Sequence, residues 1–104
     1  MLGFLKKIFG GVSVNYSELM TKGAVIVDVR TAGEFKAGHI AGSRNFPLDS
    51  IRTKVVELKK LNKPVITVCR SGARSGMAKS ILQSAGIEVY NGGPWTSLKN
   101  KIAS

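Results

Sequence analysis

The chain has one cysteine, Cys69, and the residues after it read Arg70-Ser71-Gly72-Ala73-Arg74-Ser75. It ends an apolar run, Val65-Ile66-Thr67-Val68, and precedes a helical pattern, which places it at a strand-to-helix turn. A glycine inside such a turn lets the backbone curl until successive N–H groups point inward as a nest for an anion. The helix beginning near Arg74 adds unpaired N–H groups and the positive end of its dipole. With the guanidinium groups of Arg70 and Arg74, this cup is expected to lower the thiol pKa below the free value of about 8.5 and to favour thiolate, the nucleophilic form. A lone cysteine after an apolar strand is most often inert packing. The glycine turn, the two arginines and the helix start reverse that preference.

The elements that must position this loop follow from the rest of the pattern. Val12–Tyr16 alternates in the manner of a short edge strand, and Ser17 is placed to cap a brief helix through Lys22. Val25-Ile26-Val27 is a β-branched run of the kind buried on both faces of a sheet. Thr31-Ala32-Gly33-Glu34 is a capping box that opens a helix ending at Gly38. Residues 43–46 suit a further short strand, and Ile51, Val55, Leu58 and Leu61 then recur at helical spacing. After the run at 65–68, Met77, Ala78, Ile81, Leu82 and Ala85 predict one buried helical face, stopped by Gly86. Ile87–Tyr90 reads as a last strand, Asn91-Gly92-Gly93 as a turn, and Pro94 as the first turn of a final helix. Strands alternating with helices through short connections predict an α/β fold with a parallel sheet covered on both faces. Ligands of such sheets bind beyond the carboxyl ends of the strands, where Cys69 falls.

The chain's 104 residues suffice for one domain, expected over 12–104, with 1–11 as an N-terminal tail or edge segment. That segment, MLGFLKKIFGG, is too short and too interrupted by lysine for a secretory signal or a bilayer span. One cysteine cannot form an internal disulfide, and a free thiol suits the cytoplasm. The formal charge is +10; residues 1–52 carry 7 basic and 4 acidic side chains, and residues 53–104 carry 9 and 2. Most of the excess is isolated lysine with no interleaved aromatic residues to stack bases, which favours a solvated face over a nucleic-acid surface.

From about Val12 to Leu98 the chain resembles the single-domain rhodaneses, the thiosulfate-type sulfurtransferases. The resemblance is carried by Val27-Asp28-Val29-Arg30, Glu34-Phe35, Gly38-His39-Ile40-Ala41-Gly42-Ser43, Asn45-Phe46-Pro47, the loop Val68 to Ser75, and Gly92-Gly93. It implies a three-layer α/β/α sandwich around a five-stranded parallel sheet, with Cys69 as nucleophile. It also implies that the Cys69 thiolate takes the outer sulfur of thiosulfate or a related persulfide donor. The N–H groups of Arg70, Ser71, Gly72, Ala73 and Arg74 would hold the persulfide until cyanide, a thiol or a protein cysteine accepts the sulfur. Neither metal nor cofactor is required, and a monomer is expected.

Cys69 and Arg74 form a C-x4-R loop, one residue shorter than the C-x5-R loop of cysteine phosphatases. The smaller cup suits one sulfur atom better than a tetrahedral phosphate or arsenate. A phosphatase or arsenate reductase is therefore the weaker enzymatic alternative, and a non-catalytic binding or regulatory module is the alternative outside enzymology. Asp28 is expected at a strand end on the same side of the sheet as Cys69, where it orients the loop or Arg70, or serves as an ordinary hydrogen-bonded acid. Arg30 and Glu34, four apart, read as an ion pair. His39 is read as structural instead of as a general base, and the role of Trp95 stays open.

Overall fold

A computed structural model describes residues 13–103. Its strands are β1 (Val25–Asp28), β2 (Arg44–Asn45), β3 (Val65–Cys69) and β4 (Val89–Pro94), all parallel in the order β2-β1-β3-β4. The helices are α1 (Tyr16–Thr21), α2 (Ala32–Ala37), α3 (Val55–Leu61), α4 (Ala73–Ser84) and α5 (Trp95–Ile102), with a 3-10 helix at Leu48–Lys54 leading into α3. All five residues of β3 are buried, the burial of a central parallel strand covered on both faces.

Alternation along β1 and β3 sorts the core into two layers. Val27, Val29, Val65 and Cys69 pack with Ile51, Leu58, Ala78 and Leu82 beneath the 3-10 helix, α3 and α4. Ile26, Ile66 and Val68 pack with Leu19 and Leu98 beneath α1 and α5. Ile51, Leu58, Leu82 and Leu98 are fully buried, each worth about 1.5–3 kcal/mol of hydrophobic stabilisation.

Four strands, not five, form the sheet among the described residues. The expected edge strand at Val12–Tyr16 is absent over its described part. The Asn15 side chain instead accepts a hydrogen bond from the Glu18 N–H at 3.0 Å and caps α1, turning the chain into a helix from Tyr16. The expected tail at 1–11 lies outside the described residues. The final strand also differs from expectation, because Asn91-Gly92-Gly93 lies inside β4. Thr67 pairs with Asn91 and Val68 with Gly93, so Gly92 is an extra, bulged residue. A Cβ on Gly92 would stand 2.9 Å from Ile66 Cγ2 and 3.0 Å from Val68 Cγ1; the glycine is there for close packing. Met77, expected in the core, is 59% exposed on the outer side of α4.

The Thr31 capping box forms as expected. Thr31 Oγ1 accepts from the Glu34 N–H, and Glu34 Oε1 accepts from the Thr31 N–H. The same glutamate carboxylate also takes Arg74 Nη1 at 2.7 Å and Nη2 at 3.0 Å. Arg74 and the Thr31 N–H hold the Glu34 carboxyl at about 2, well under its ordinary 4.5. The unfolded carboxyl takes up protons near 4.5 while the folded one stays ionised, so the pairing stabilises above that value and is lost as pH falls toward 2. Wild type and Glu34→Gln are expected to differ in urea midpoint at pH 6 and to converge between about pH 4.5 and 2. A constant gap across that window would show that the pairing does not depend on the charge of Glu34.

Candidate active site

Strand β3 delivers Cys69 to its carboxyl end, and the chain passes through Arg70 to Gly72 into α4. Gly72 sits at φ 101°, a left-handed conformation costly for any side-chain-bearing residue, and acts as the N-cap of the helix. This conformation aims its N–H at Cys69 Sγ, 2.9 Å away. The Ser75 N–H approaches the sulfur at 3.4 Å and the Ser75 hydroxyl at 3.3 Å. Burial raises the thiol pKa, but hydrogen bonds from the Ser75 hydroxyl and from the N–H groups of Ser75, Gly72 and Ser71 outweigh it, leaving the thiol below its ordinary value. Of the N–H groups expected to turn inward from Arg70 to Arg74, those of Gly72 and Ser71 reach the sulfur, and the N–H of Ser75, outside that set, joins them.

The arginines are arranged differently from expectation. Arg70 is exposed, and Arg74 is committed to the Glu34 carboxylate as a bidentate pair. The charge of Cys69 still raises the Arg74 pKa, but by less than the hydrogen bonds of Glu34 do. Backbone N–H groups and one hydroxyl, more than free guanidinium charge, therefore stabilise the thiolate.

Arg30 pairs with Asp28 and not with the Glu34 side chain. Its Nε and Nη2 reach the Asp28 carboxylate at 2.9 and 2.7 Å, while Nη1 donates to the Glu34 backbone carbonyl at 3.3 Å. Arg30 Nη2 also donates to Gly38 O at 2.7 Å, and the guanidinium lies 4.8 Å from the Trp95 ring centre. By strand alternation, Asp28 lies on the Ile26 face, opposite Cys69 and not on the same side. Asp28 thus holds Arg30 against α2 and Trp95, and its carboxylate makes no bond to the loop. Trp95 packs on Arg30. His39 is exposed, stacked on Phe35, with its Nδ1–H donating to Phe35 O at 2.7 Å, a helix-end contact.

Two polar residues outside the cysteine loop went unread in the sequence. Thr67, buried in β3, donates its hydroxyl to Ser75 O at 2.9 Å and ties α4 to the sheet. Asn91 in β4 bonds both Ser75 and Gly72. Thr67 sat inside an apparently apolar run, and Asn91 was masked by two following glycines. Beside the loop, Val29, Ala32, Pro47, Leu48, Thr31, Asp49 and Arg74 line an open, mainly apolar hollow of about 490 Å³. Among the described residues, no group of three or more His, Cys, Asp or Glu is placed to hold a metal ion, and no helix is long and apolar enough to cross a membrane.

Comparison with known proteins agrees with this arrangement. Residues 14–94 match the rhodanese-like domain. The chain is 41% identical over 69 residues to YqhL of Bacillus subtilis, an uncharacterised protein, covering 65% of this chain and 54% of that one. It is 37% identical over 75 residues to the thiosulfate sulfurtransferase GlpE of Ectopseudomonas mendocina, covering 71% and 68%. The chain thus spans about half to two thirds of the length of these relatives. Among solved structures, a rhodanese with anions from E. coli superimposes with a TM-score of 0.65 at 29% identity, over 71% of this chain and 89% of that one. With its parallel sheet, its cysteine at the end of β3 and its glycine-centred loop, the chain belongs to the rhodanese-like family.

Proposed function

We propose that the protein is a sulfurtransferase that moves a sulfane sulfur from thiosulfate, or a related persulfide donor, to a thiophilic acceptor through Cys69. The observation that carries the reading is the convergence of the Gly72 N–H, the Ser75 N–H and the Ser75 hydroxyl on one sulfur. The two backbone N–H groups are held in fixed positions and stabilise charge where it develops without reorganising during the reaction. The Cys69 thiolate attacks the outer sulfur of thiosulfate, the S–S bond of the donor breaks, and sulfite leaves with the bonding pair. The terminal sulfur of the Cys69 persulfide then passes to cyanide or to a thiolate, and the Cys69 thiolate is restored. Arg70, Ser71, Gly72, Ala73 and Arg74 form the substrate-binding loop in this scheme. Cys69 is fully covered in the resting structure, so entry of the donor requires the groups over the sulfur to shift.

The E. coli relative, described with anions, and the GlpE relative, named for thiosulfate, support an anionic donor. The lone thiol fits the reducing cytoplasm. Incubation of reduced protein with thiosulfate, followed by intact mass measurement, tests the reading. A gain of one sulfur atom that cyanide removes is expected; no gain with either saturating thiosulfate or a glutathione persulfide would exclude it.

A further inference from the structure

We propose that Asn91 is a positioning residue that governs the protonation of Cys69 by competing with the sulfur for the single hydroxyl proton of Ser75. The inference deepens the sulfurtransferase reading and rests on it only for its consequence in turnover. Asn91 leaves β4 at the bulge, and its carboxamide lies between two parts of the cysteine loop. Nδ2 donates to Gly72 O at 3.2 Å, while Oδ1 accepts from the Gly93 N–H at 2.9 Å and from Ser75 Oγ at 2.6 Å. Gly72 O can only accept and the Gly93 N–H can only donate, so the amide cannot be turned over. The Tyr16 hydroxyl fixes the same residue from α1 by donating to Asn91 O at 3.0 Å. On α4, Gly76 leaves room for the carboxamide, since a Cβ there would stand 3.3 Å from Nδ2.

The consequence lies in proton counting. Asn91 Oδ1 has no hydrogen, so the 2.6 Å contact uses the only proton Ser75 Oγ carries. Toward Cys69 Sγ, 3.3 Å away, Ser75 is then left with a lone pair, which suits a thiol S–H and not a thiolate. When the thiol ionises, the Ser75 hydroxyl must turn its proton from Asn91 to the sulfur. Asn91 thus pulls the equilibrium toward thiol through Ser75, while its other end holds Gly72, whose N–H donates to the sulfur.

The charged groups around the loop stay in place when Asn91 is changed. Arg74 of α4 is held by Glu34 of α2, Asp28 of β1 is held by Arg30, and Arg70 is solvent-exposed. The test is the pH titration of the Cys69 thiolate by its absorbance near 240 nm, checked by alkylation rate, in the full chain. Asn91→Ala frees the Ser75 proton and is expected to lower the titration midpoint by about 0.5–1 pH unit, the size of one neutral hydrogen bond. Asn91→Asp keeps the side-chain shape, grips the Ser75 proton harder, and is expected to raise it. In a Ser75→Ala background, Asn91→Ala is expected to leave the midpoint unchanged. Shifts of the same sign in Asn91→Ala and Asn91→Asp, or an equal shift with and without Ser75, would overturn the proposal in favour of general loosening of the loop. The titration reads the network whether or not the protein transfers sulfur. Its failure is thus distinct from the absence of a persulfide in the mass measurement.

Discussion

Cys69→Ser is expected to bring thiosulfate-dependent sulfur transfer to cyanide down to the rate of buffer alone, a loss on the order of 10⁴-fold or more. A serine oxygen cannot form the S–S bond that stores the transferred sulfur. Nor can hydrogen bonds that lower a thiol pKa ionise an alcohol near neutral pH. The exchange preserves size, and the Gly72 and Ser75 groups remain partners for an oxygen, so cooperative urea unfolding is expected to persist. Arg74→Ala is expected to retain part of the activity, because the donors at the sulfur belong to other groups and its guanidinium is engaged by Glu34. Lys60→Ala, on the exposed surface of α3, sets the reference for lost positive charge alone. Steady-state kcat/KM across the series provides the measurement. Transfer by Cys69→Ser at more than a few per cent of wild type would remove the thiolate from the reaction.

The parts of the site built from local chemistry were legible in the sequence. The Thr31 capping box, the buried runs of β1 and β3, and the glycine turn after Cys69 each depend on residues within a few positions of one another. Pairings over long sequence distances were not. Glu34 has Arg30 four residues away, yet its carboxylate turns to Arg74, 40 positions on, because Arg30 is drawn into the sheet end by Asp28. The edge strand failed for a local reason that the alternation concealed: Asn15 offers the backbone a side-chain acceptor, and helix capping prevails over pairing at a sheet edge. The glycines at 92 and 93 read as a turn because glycine marks both turns and bulges, and only the packing of Ile66 and Val68 against Gly92 separates the two. Asn91 went unread for the same reason. Its value lies in reaching Gly72 and Ser75, 19 and 16 residues earlier, which only the parallel placement of β4 beside β3 brings about.

Asp28→Ala is expected to destabilise the fold by about 3–5 kcal/mol, the usual cost of leaving one member of a buried ion pair without its partner. Asp28 is 0% exposed and Arg30 4%. The carboxylate accepts from Arg30 Nε, Nη2 and backbone N–H, so its removal orphans three donors at once. What remains for the guanidinium is the Gly38 and Glu34 carbonyls and the face of Trp95, none of which carries a compensating negative charge. Against a total stability of about 5–15 kcal/mol for a domain, this is a large share. With a slope of about 1–3 kcal/mol per molar urea, the unfolding midpoint is expected to fall by more than about 1 M. The double variant Asp28→Leu with Arg30→Met removes both charges and is expected to recover much of the loss, since the cost comes from the unpaired ion more than from the missing contact. If the double variant were as unstable as Asp28→Ala, the hydrogen bonds that Arg30 makes to α2 would be the dominant contribution. A wild-type midpoint for Asp28→Ala would require water to reach Arg30, and the pair could not then be the buried anchor at the carboxyl end of β1.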